Sequence, residues 1–280
     1  MKEITCETIA AAVEQLCIEA ATILPPALGI LLECAAESEE SPAGISALED
    51  MVTNFKHAAE RAVPICEETG MVVVFADIGQ DVHITGGLFE DAVNEGVGRA
   101  CALGFLGKSI VEDPIRRRNT KDGTPCVLHM RLVDGDSVKL QVSPKGFGGE
   151  NMSAMRLFSP GDSADTIEDF IVETASRAGA DICPPVFVGV GLGGTVEQCA
   201  NIAKRALLRN ADTRNADKFY EQMERRVLGK INELGIGPMG TGGRYTAIAV
   251  NIEACPTHTT GLPCVVNISC HATRHACMIL

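Results

Sequence analysis

Three of the twelve cysteines in this chain stand where an apolar run of the sequence ends. Cys66 comes shortly before a glycine, Cys183 directly before two prolines, and Cys270 directly after Ser269. Thiolates are the soft ligands that iron–sulfur clusters and zinc prefer in proteins. Three thiolates brought together by a fold, with no fourth, would leave one metal position open for chemistry.

The spacing of the cysteines limits the kind of site they would form. No C-x-x-C occurs anywhere in the sequence, which removes the ferredoxin run, the zinc ribbon and the thioredoxin motif as candidates. A metal site would therefore be assembled from distant segments. Cys255 also precedes a proline and rivals Cys183 for that reason, so spacing alone leaves the choice of three open.

The composition predicts a chain with a large core in a reducing compartment. It has 280 residues, of which 46% are hydrophobic. Residues 1–21 carry four glutamates and lack a signal-peptide pattern, and we expect no segment with the ~18 apolar residues of a membrane span. The expected location is the cytoplasm, where thiols stay reduced and metal binding or catalysis are their special uses.

The charge argues against two classes of partner. A net charge of −13 does not suit a nucleic-acid or anionic-membrane surface, since both require clustered basic residues. The one basic run, Arg116-Arg117-Arg118, is interpreted either as a solvated turn or as a local anion site. We therefore predict neither a nucleic-acid partner nor a membrane.

The first 62 residues predict a helical portion. Apolar residues recur at helical spacing over residues 3–24, and the capping box Ser46-x-x-Glu49 predicts a second amphipathic helix that ends near Ala62. The cysteines of this portion are interpreted as packing residues: Cys6, Cys17 and Cys34.

The middle of the chain predicts strands and a hairpin. Residues 71–76 predict a buried strand, and residues 88–103 return to helical spacing. Residues 126–133 then alternate in the manner of a strand, Asp134-Gly135 turns the chain, and residues 137–142 continue as the second strand of an antiparallel hairpin.

The fold class follows from these elements and from the last predicted strand, residues 262–269. Cys264 lies inside that strand and is interpreted as a core residue, whereas Cys270 follows its end. The sequence predicts a single mixed α/β (α+β) domain over residues 1–280. It would have a helical N-terminal portion over residues 1–62 and a mixed sheet that contains the antiparallel hairpin.

Two glycine-rich segments suggest ligand contacts. Residues 146–149 contain three glycines, which would let backbone N–H groups approach a ligand or would form a flexible loop. Residues 189–194 satisfy G-x-G-x-x-G and precede a helix opened by Thr195-x-x-Gln198, as in dinucleotide-binding proteins. A nucleotide-binding oxidoreductase ranks last among the functions considered, because this one pattern alone supports it.

Four stretches together resemble the α-type region of the class I, iron–sulfur fumarate hydratases and L(+)-tartrate dehydratases. In chain order they are Cys66-x-x-Thr69-Gly70, Gly146-x-Gly148-Gly149-Glu150-Asn151, Cys183-Pro184-Pro185 with Gly189-Val190-Gly191-Leu192-Gly193-Gly194-Thr195, and Gly235-Ile236-Gly237-Pro238-Met239-Gly240. The resemblance covers nearly the whole chain in the family's order, which is more specific than any single loop.

The resemblance implies a [4Fe–4S] cluster held by Cys66, Cys183 and Cys270. Its fourth iron would have no protein ligand and would act as a Lewis acid on a substrate hydroxyl. The implied reaction is the reversible hydration or dehydration of a small hydroxy-dicarboxylic acid. Fumarate and malate rank first as substrates, and the conversion of tartrate to oxaloacetate ranks next.

The resemblance also implies roles for other residues. Glu68 and His258 would be catalytic, the latter because it lies twelve residues before Cys270 as a family histidine does. The implied substrate-binding positions are Glu67, Lys108 and Gly148.

Two positions depart from the family pattern. Family members commonly read Cys-Gln-Asp-Thr-Gly, whereas this chain has Glu67 and Glu68 after its cysteine. Many members also carry Leu-Arg-x-Ser, whose arginine binds a substrate carboxylate, but here Gly107 replaces the arginine and Lys108 follows it. Lysine supplies a point charge without the bidentate fork. A hydro-lyase for a different acid, and a cluster-carrying or iron-sensing relative without turnover, therefore stay open.

The implied enzyme has more than one chain. In the family a β region supplies the catalytic base and further carboxylate-binding residues, and this sequence ends at Leu280, soon after Cys270. We therefore expect an α subunit that needs a β subunit, in an αβ hetero-oligomer of α2β2 type.

Overall fold

The fold is a mixture of helices and strands along residues 2–280, which the computed structural model describes. In chain order the elements are β1 (Lys2–Thr5), α1 (Cys6–Thr22), α2 (Pro26–Ser38), α3 (Pro42–Arg61), β2 (Met71–Gly79), β3 (Val82–Thr85), α4 (Phe89–Leu103), β4 (Val127–Val133), β5 (Val138–Lys145), α5 (Phe147–Asn151), β6 (Ala154–Phe158), α6 (Ala164–Ala178), β7 (Val186–Gly193), α7 (Val196–Ala206), α8 (Lys218–Asn232), β8 (Ala247–Cys255), β9 (Leu262–Ser269) and β10 (Ala276–Ile279).

The chain divides into two compact units. Unit 1 comprises Met1–Pro25, Asn54–Phe147 and Arg274–Leu280, and unit 2 comprises Pro26–Thr53 and Gly148–Thr273. The predicted class is confirmed, because the structure is a mixed α/β fold with a helical N-terminal part and antiparallel strands in mixed sheets. The extent of the domain, residues 1–280, stays a prediction.

The sheet of unit 1 has the strand order β10-β5-β2-β4. Its central strand β2 is almost wholly buried, as expected for a short β-branched run. Helices α1 and α4 pack against one face, where alternate strand residues join the helices in one core: Val72, Val74, Ala76, Val138, Leu140 and Val142. A second, two-stranded sheet pairs β1 with β3.

The predicted hairpin is wrong in its pairing, although both of its strands exist. Strand β2 lies between β4 and β5, pairing in parallel with β4 and antiparallel with β5. The turn at Asp134-Gly135 instead crosses the end of β2, where the Asp81 N–H donates to the Gly135 carbonyl at 2.9 Å. A buried apolar strand needs backbone partners on both edges, and this requirement outweighs the local turn signal.

Two helices begin at residues other than the predicted ones. Helix α1 begins at Cys6, where the Thr5 side chain accepts the Thr8 N–H at 3.1 Å, because the preceding residues pair with β3. Helix α3 begins at Pro42 rather than at the predicted capping box of Ser46. Proline suits the first turn of a helix, since its missing N–H has no partner there in any case.

One segment is a candidate membrane span by length and composition, although the sequence predicts none. Residues Cys6–Ser38 are long and apolar enough to cross a membrane by length and composition. The stretch consists of two helices that are separated at residues 23–25, and α1 contributes its apolar face to the core of unit 1. Core helices pass the same test, so this finding is weak support for a span.

The sheet of unit 2 has the strand order β6-β9-β7-β8. Strand β7 pairs in parallel with β8 and antiparallel with β9, so that Phe187 lies opposite Ser269 and Gly193 opposite Cys255. Helices α6 and α8 cover one face. The helix start predicted at Thr195 is present, because the Thr195 N–H donates to the Gln198 side chain at 3.2 Å before α7. A second cap, Ser163, accepts the Thr166 N–H at 3.3 Å before α6.

The G-x-G-x-x-G pattern is explained by packing. Gly189 and Gly191 are strand residues of β7 that face α7, and a Cβ atom on either would collide with a carbonyl oxygen of that helix. The third glycine of the pattern, Gly194, has a φ of +69°, and a Cβ there would lie 2.9 Å from the sulfur of Cys255. The glycines therefore allow helix and strand backbones to approach closely, which accounts for the pattern without a nucleotide.

Candidate functional site

Cys183 occupies a backbone conformation that is unusual for a cysteine. Its φ of +51° lies in the left-handed region, which costs a non-glycine residue roughly 1 kcal/mol or more. Its N–H donates to the Ala180 carbonyl at 3.1 Å, and Pro184 and Pro185 lead into β7. Such conformations persist where surrounding contacts enforce them, often at functional sites.

The structure brings Cys183 and Cys270 together in unit 2. The carbonyl oxygen of Cys183 accepts hydrogen bonds from the backbone N–H of His271 at 3.4 Å and from its ring Nδ1 at 3.0 Å. A carbonyl only accepts, so Nδ1 is the protonated ring nitrogen. The Thr273 hydroxyl donates to the Cys270 carbonyl at 2.9 Å. The residues before β7 and after β9 are thereby held together at their backbones, and each carries a half-buried cysteine.

Residues 235–243 form a further glycine-rich segment, which braces the Cys183 turn. The N–H of Met239, which itself has a φ of +51°, donates to the Pro184 carbonyl at 2.8 Å. A Cβ atom on Gly240 would collide with the side chain of Ala180. The glycine at this position therefore permits the close contact that keeps the segment against the turn.

Glu39 anchors that segment, and sequence reasoning missed it. Its carboxylate is buried and accepts the N–H of Arg244 at 2.9 Å and that of Tyr245 at 3.1 Å, together with those of Glu40 and Ser41. Burial raises the pKa of Glu39, but the four backbone donors outweigh that effect and leave its pKa below the ordinary value. A glutamate in an acidic stretch resembles a solvated residue, so the sequence carried no signal for this role.

The first glycine-rich segment is fixed at the same end of unit 2. Both carboxylate oxygens of Glu150 contact the Lys204 ammonium, at 2.6 and 2.7 Å, and one accepts the Asn267 amide at 2.9 Å. The predicted substrate-binding residue Gly148 is exposed in α5, with open space where a Cβ would stand. Glu150 is thus an anchor of the segment, whereas Gly148 is exposed.

The structure does not bring His258 to Cys183 and Cys270. His258 lies in the loop between β8 and β9, whereas Cys270 follows the far end of β9, which has eight residues and a length of about 25 Å. Its Nδ1 accepts the Thr260 N–H at 3.3 Å, so Nε2 carries the proton of the neutral ring. One extended strand therefore separates His258 from Cys270, and the catalytic role predicted for His258 stays a prediction.

Cys66 belongs to unit 1 and is half-buried in the segment before β2. The residue before it is held on both sides, since the Ile65 N–H donates to Ala21 at 2.9 Å and its carbonyl accepts the Asn54 amide at 2.8 Å. At Gly70 the φ is +71°, and a Cβ would collide with the Lys145 backbone. These contacts give residues 66–70 a defined path across unit 1.

The predicted catalytic residue Glu68 and the predicted substrate-binding residue Glu67 lie on this path, and Lys108 lies in a segment beside it. Glu68 accepts the Phe147 N–H at 2.8 Å, and the Gly107 N–H donates to the Thr69 hydroxyl at 2.7 Å. A Cβ at position 107 would lie 3.1 Å from the Glu67 carbonyl, so little room exists there for a longer side chain. The segment that contains Lys108 therefore runs beside Glu67 and Glu68.

The three candidate ligands differ from the cysteines of the core. Cys66, Cys183 and Cys270 are half-buried, whereas Cys199 is fully buried and desolvation raises its pKa to about 11. Within residues 2–280 no group of three or more His, Cys, Asp or Glu side chains is arranged to hold a single metal ion. Each thiolate of an iron–sulfur cluster binds a different iron, so such ligands do not converge on one point. The half-buried thiols fit a cluster in donor chemistry.

Comparison with known proteins gives consistent matches over the length of the chain. The profile of the fumarate hydratase (Fumerase) family matches residues 10–279. A candidate L(+)-tartrate dehydratase subunit alpha from Methanocaldococcus jannaschii is 37% identical over 92% of this chain and 92% of its own. The L(+)-tartrate dehydratase subunit alpha of Escherichia coli O157:H7 is 28% identical over 87% of this chain and 81% of its own.

Proposed function

Because the chain belongs to the fumarate hydratase (Fumerase) family, we propose that it is the α subunit of a [4Fe–4S]-dependent hydro-lyase for a small hydroxy-dicarboxylic acid. The contact between the Cys183 turn and the residue after Cys270 carries this proposal. L(+)-tartrate is the first substrate to test, since it is the acid in the names of the relatives, followed by malate and fumarate.

Cys66, Cys183 and Cys270 are proposed to hold the cluster. They are thiols at the ends of elements, and their side chains are half-buried rather than sealed in a core. When bound, such a cluster supplies a Lewis-acidic iron without a protein ligand, which polarises a hydroxyl group.

The chain's own residues would bind the acid and handle a proton. Glu68 is proposed to exchange a proton with the leaving or entering hydroxyl group, because the Phe147 N–H at 2.8 Å orients its carboxylate, whereas the base for the carbon proton belongs to the β subunit. Lys108 would attract one substrate carboxylate, and the exposed amide of Gly148 would donate to another. Glu67 would repel a misplaced carboxylate and so contribute to the choice of acid.

His258 stands apart from these roles. Its spacing to Cys270 predicts a catalytic contact, but the length of β9 between them argues against direct contact with a ligand held near Cys270. We therefore propose no proton transfer by His258 at that end of unit 2.

A second chain completes the proposed enzyme. The relatives are named "subunit alpha", which implies a partner subunit. We propose a β subunit that supplies the base and further carboxylate-binding residues, in an α2β2 assembly located in the cytoplasm.

Anaerobic co-expression with a β-type chain tests the proposal. We expect the purified pair to carry iron and sulfide and to interconvert L(+)-tartrate with oxaloacetate, or malate with fumarate, while the α chain alone is inactive. Full activity of the α chain alone would contradict the subunit assignment. A preparation without iron and without turnover would contradict the hydro-lyase itself.

A cluster-carrying or iron-sensing protein is the second candidate. The observation that favours it is the pair Glu67 and Gly107, where the family commonly has a neutral amide and a carboxylate-binding arginine. Bound cluster without turnover of any C4 or C5 hydroxy acid, in the presence of the β chain, is the result that would support it.

A further inference from the structure

Arg274 is a buried arginine of unit 1 that contacts the segment after Cys66. Only 4% of its surface is exposed, and its Nη2 donates to the Glu68 carbonyl at 2.6 Å. Its own carbonyl accepts the Ser143 hydroxyl at 2.8 Å, which fixes its backbone. Its Nε and Nη1 atoms are also buried and have no hydrogen-bond acceptor among the residues that the structure describes.

Two other arginines of the chain show the usual pairing with a carboxylate. Arg131, also in unit 1, donates from Nε and Nη2 to the two oxygens of Asp77, at 2.6 and 2.8 Å. Arg226 of unit 2 donates to Glu168 at 2.7 Å. A guanidinium keeps its charge at every physiological pH, and burial without an anion is strongly unfavourable. An anionic acceptor at the Nε and Nη1 atoms of Arg274 would therefore be favourable.

Arg274 and position 107 both lie next to the backbone of Glu67 and Glu68. A side chain at Gly107 would press on the Glu67 carbonyl, whereas Arg274 bonds to the next carbonyl along the chain, that of Glu68. Glu67 and Glu68 add two negative charges here, and Lys108 contributes one positive charge. Attraction of a dicarboxylate to these residues therefore calls for a further cation.

We propose that Arg274 binds a substrate carboxylate, in place of the arginine that position 107 lacks. The proposal rests on the proposed function and identifies a specificity-determining residue for it. The planar fork of the guanidinium matches a carboxylate, and an acceptor that arrives with the substrate would satisfy N–H groups that have no other partner.

The test uses the anaerobically prepared complex of the full chain with its β-type partner. Dissociation constants for L(+)-tartrate, L-malate and fumarate are measured by calorimetry for the wild type, Arg274→Gln, Arg274→Lys and the matched control Arg131→Gln. We expect Arg274→Gln to raise the dissociation constant of the preferred acid at least about tenfold, because the loss of a charged hydrogen bond weakens binding by about this factor. Arg274→Lys should raise the dissociation constant less, because lysine keeps the positive charge. Arg131→Gln is expected to bind within twofold of the wild type, and all variants are expected to keep their iron.

Each contrary result has a distinct meaning. If the wild type binds an acid and Arg274→Gln binds it equally well, this proposal fails and the proposed function stands. If Arg274→Gln loses its iron or unfolds, Arg274→Lys decides, and wild-type affinity in that variant would reduce Arg274 to structural support. If the wild type binds none of the three acids, both proposals fail together.

Discussion

Cys264 and Cys270 are six residues apart in unit 2, yet their surroundings are opposite. Cys264 lies inside β9, fully buried, and desolvation raises its pKa far above the ordinary value of a thiol. Cys270 lies just past the end of the same strand, half-buried beside the turn of Cys183. The comparison shows that the two thiols differ in burial because one lies inside the strand and the other follows its end.

The largest expected effect is on the cluster. Cys270→Ala should abolish bound iron and the visible absorbance of the anaerobically reconstituted protein, because a thiolate ligand is removed. Cys264→Ala should keep both, because a buried neutral thiol binds no metal. Iron analysis and absorption spectra of the two variants check this, and loss of the cluster in Cys264→Ala alone would reverse the comparison.

The next largest effect is expected from removing the Glu39 carboxylate, which anchors residues 235–243 beside the Cys183 turn. Glu39→Gln should lower the free energy of unfolding by about 2–4 kcal/mol at pH 7, since four backbone donors lose a charged acceptor. Thiol labelling of the cluster-free chain should become faster at Cys183 and Cys270 but not at Cys264. Equal acceleration at all three cysteines would show that Glu39 supports the fold as a whole.

The same carboxylate gives a pH dependence with a defined sign. The pKa of Glu39 is lowered in the folded chain, so its stabilisation is present above the pKa of the unfolded chain and is lost as the pH falls through the folded value. The difference between wild type and Glu39→Gln in urea unfolding should therefore shrink on acidification below pH 4.5. A constant difference down to pH 2 would contradict this account.

A smaller effect is expected from the packing cysteine. Cys264→Ala should lower the free energy of unfolding by about 1–2 kcal/mol, because a buried sulfur leaves a small cavity. Cys270→Ala, measured in the cluster-free chain, should change it by less than about 0.5 kcal/mol. Urea titrations of both variants test the difference, and similar values would mean that Cys270 packs as tightly as Cys264.

The smallest effect concerns His258. The strand between it and Cys270 keeps the two apart, so His258→Gln should change kcat by less than about threefold. Steady-state rates of the αβ preparation provide the measurement. A loss of a hundredfold or more would restore the catalytic contact that the spacing predicts.

Local signals predicted much of unit 2. The alternation in β9 indicated both that Cys264 faces the core and that Cys270 follows the strand, and Thr195-x-x-Gln198 marked the start of α7. These features depend on residues that are close together in the sequence, and the structure confirms them.

Long-range features were harder to predict. Nothing near residues 127–142 indicates that β2 inserts between β4 and β5, because that pairing satisfies the backbone of a strand some fifty residues earlier. The roles of Glu39 and Arg274 were missed for a similar reason. Each is an ordinary charged residue in the sequence, and only the fold supplies the N–H groups or the carbonyl that it contacts.

The most direct test of the account is the location of iron in crystals grown without oxygen from the αβ preparation. Anomalous scattering at the iron absorption edge would show which sulfur atoms bind the metal. The account predicts iron bonded to the Sγ atoms of Cys66, Cys183 and Cys270, with one iron that no cysteine binds. Iron bonded to Cys255 or Cys264 instead, or a fully loaded cluster without Cys66, would contradict it.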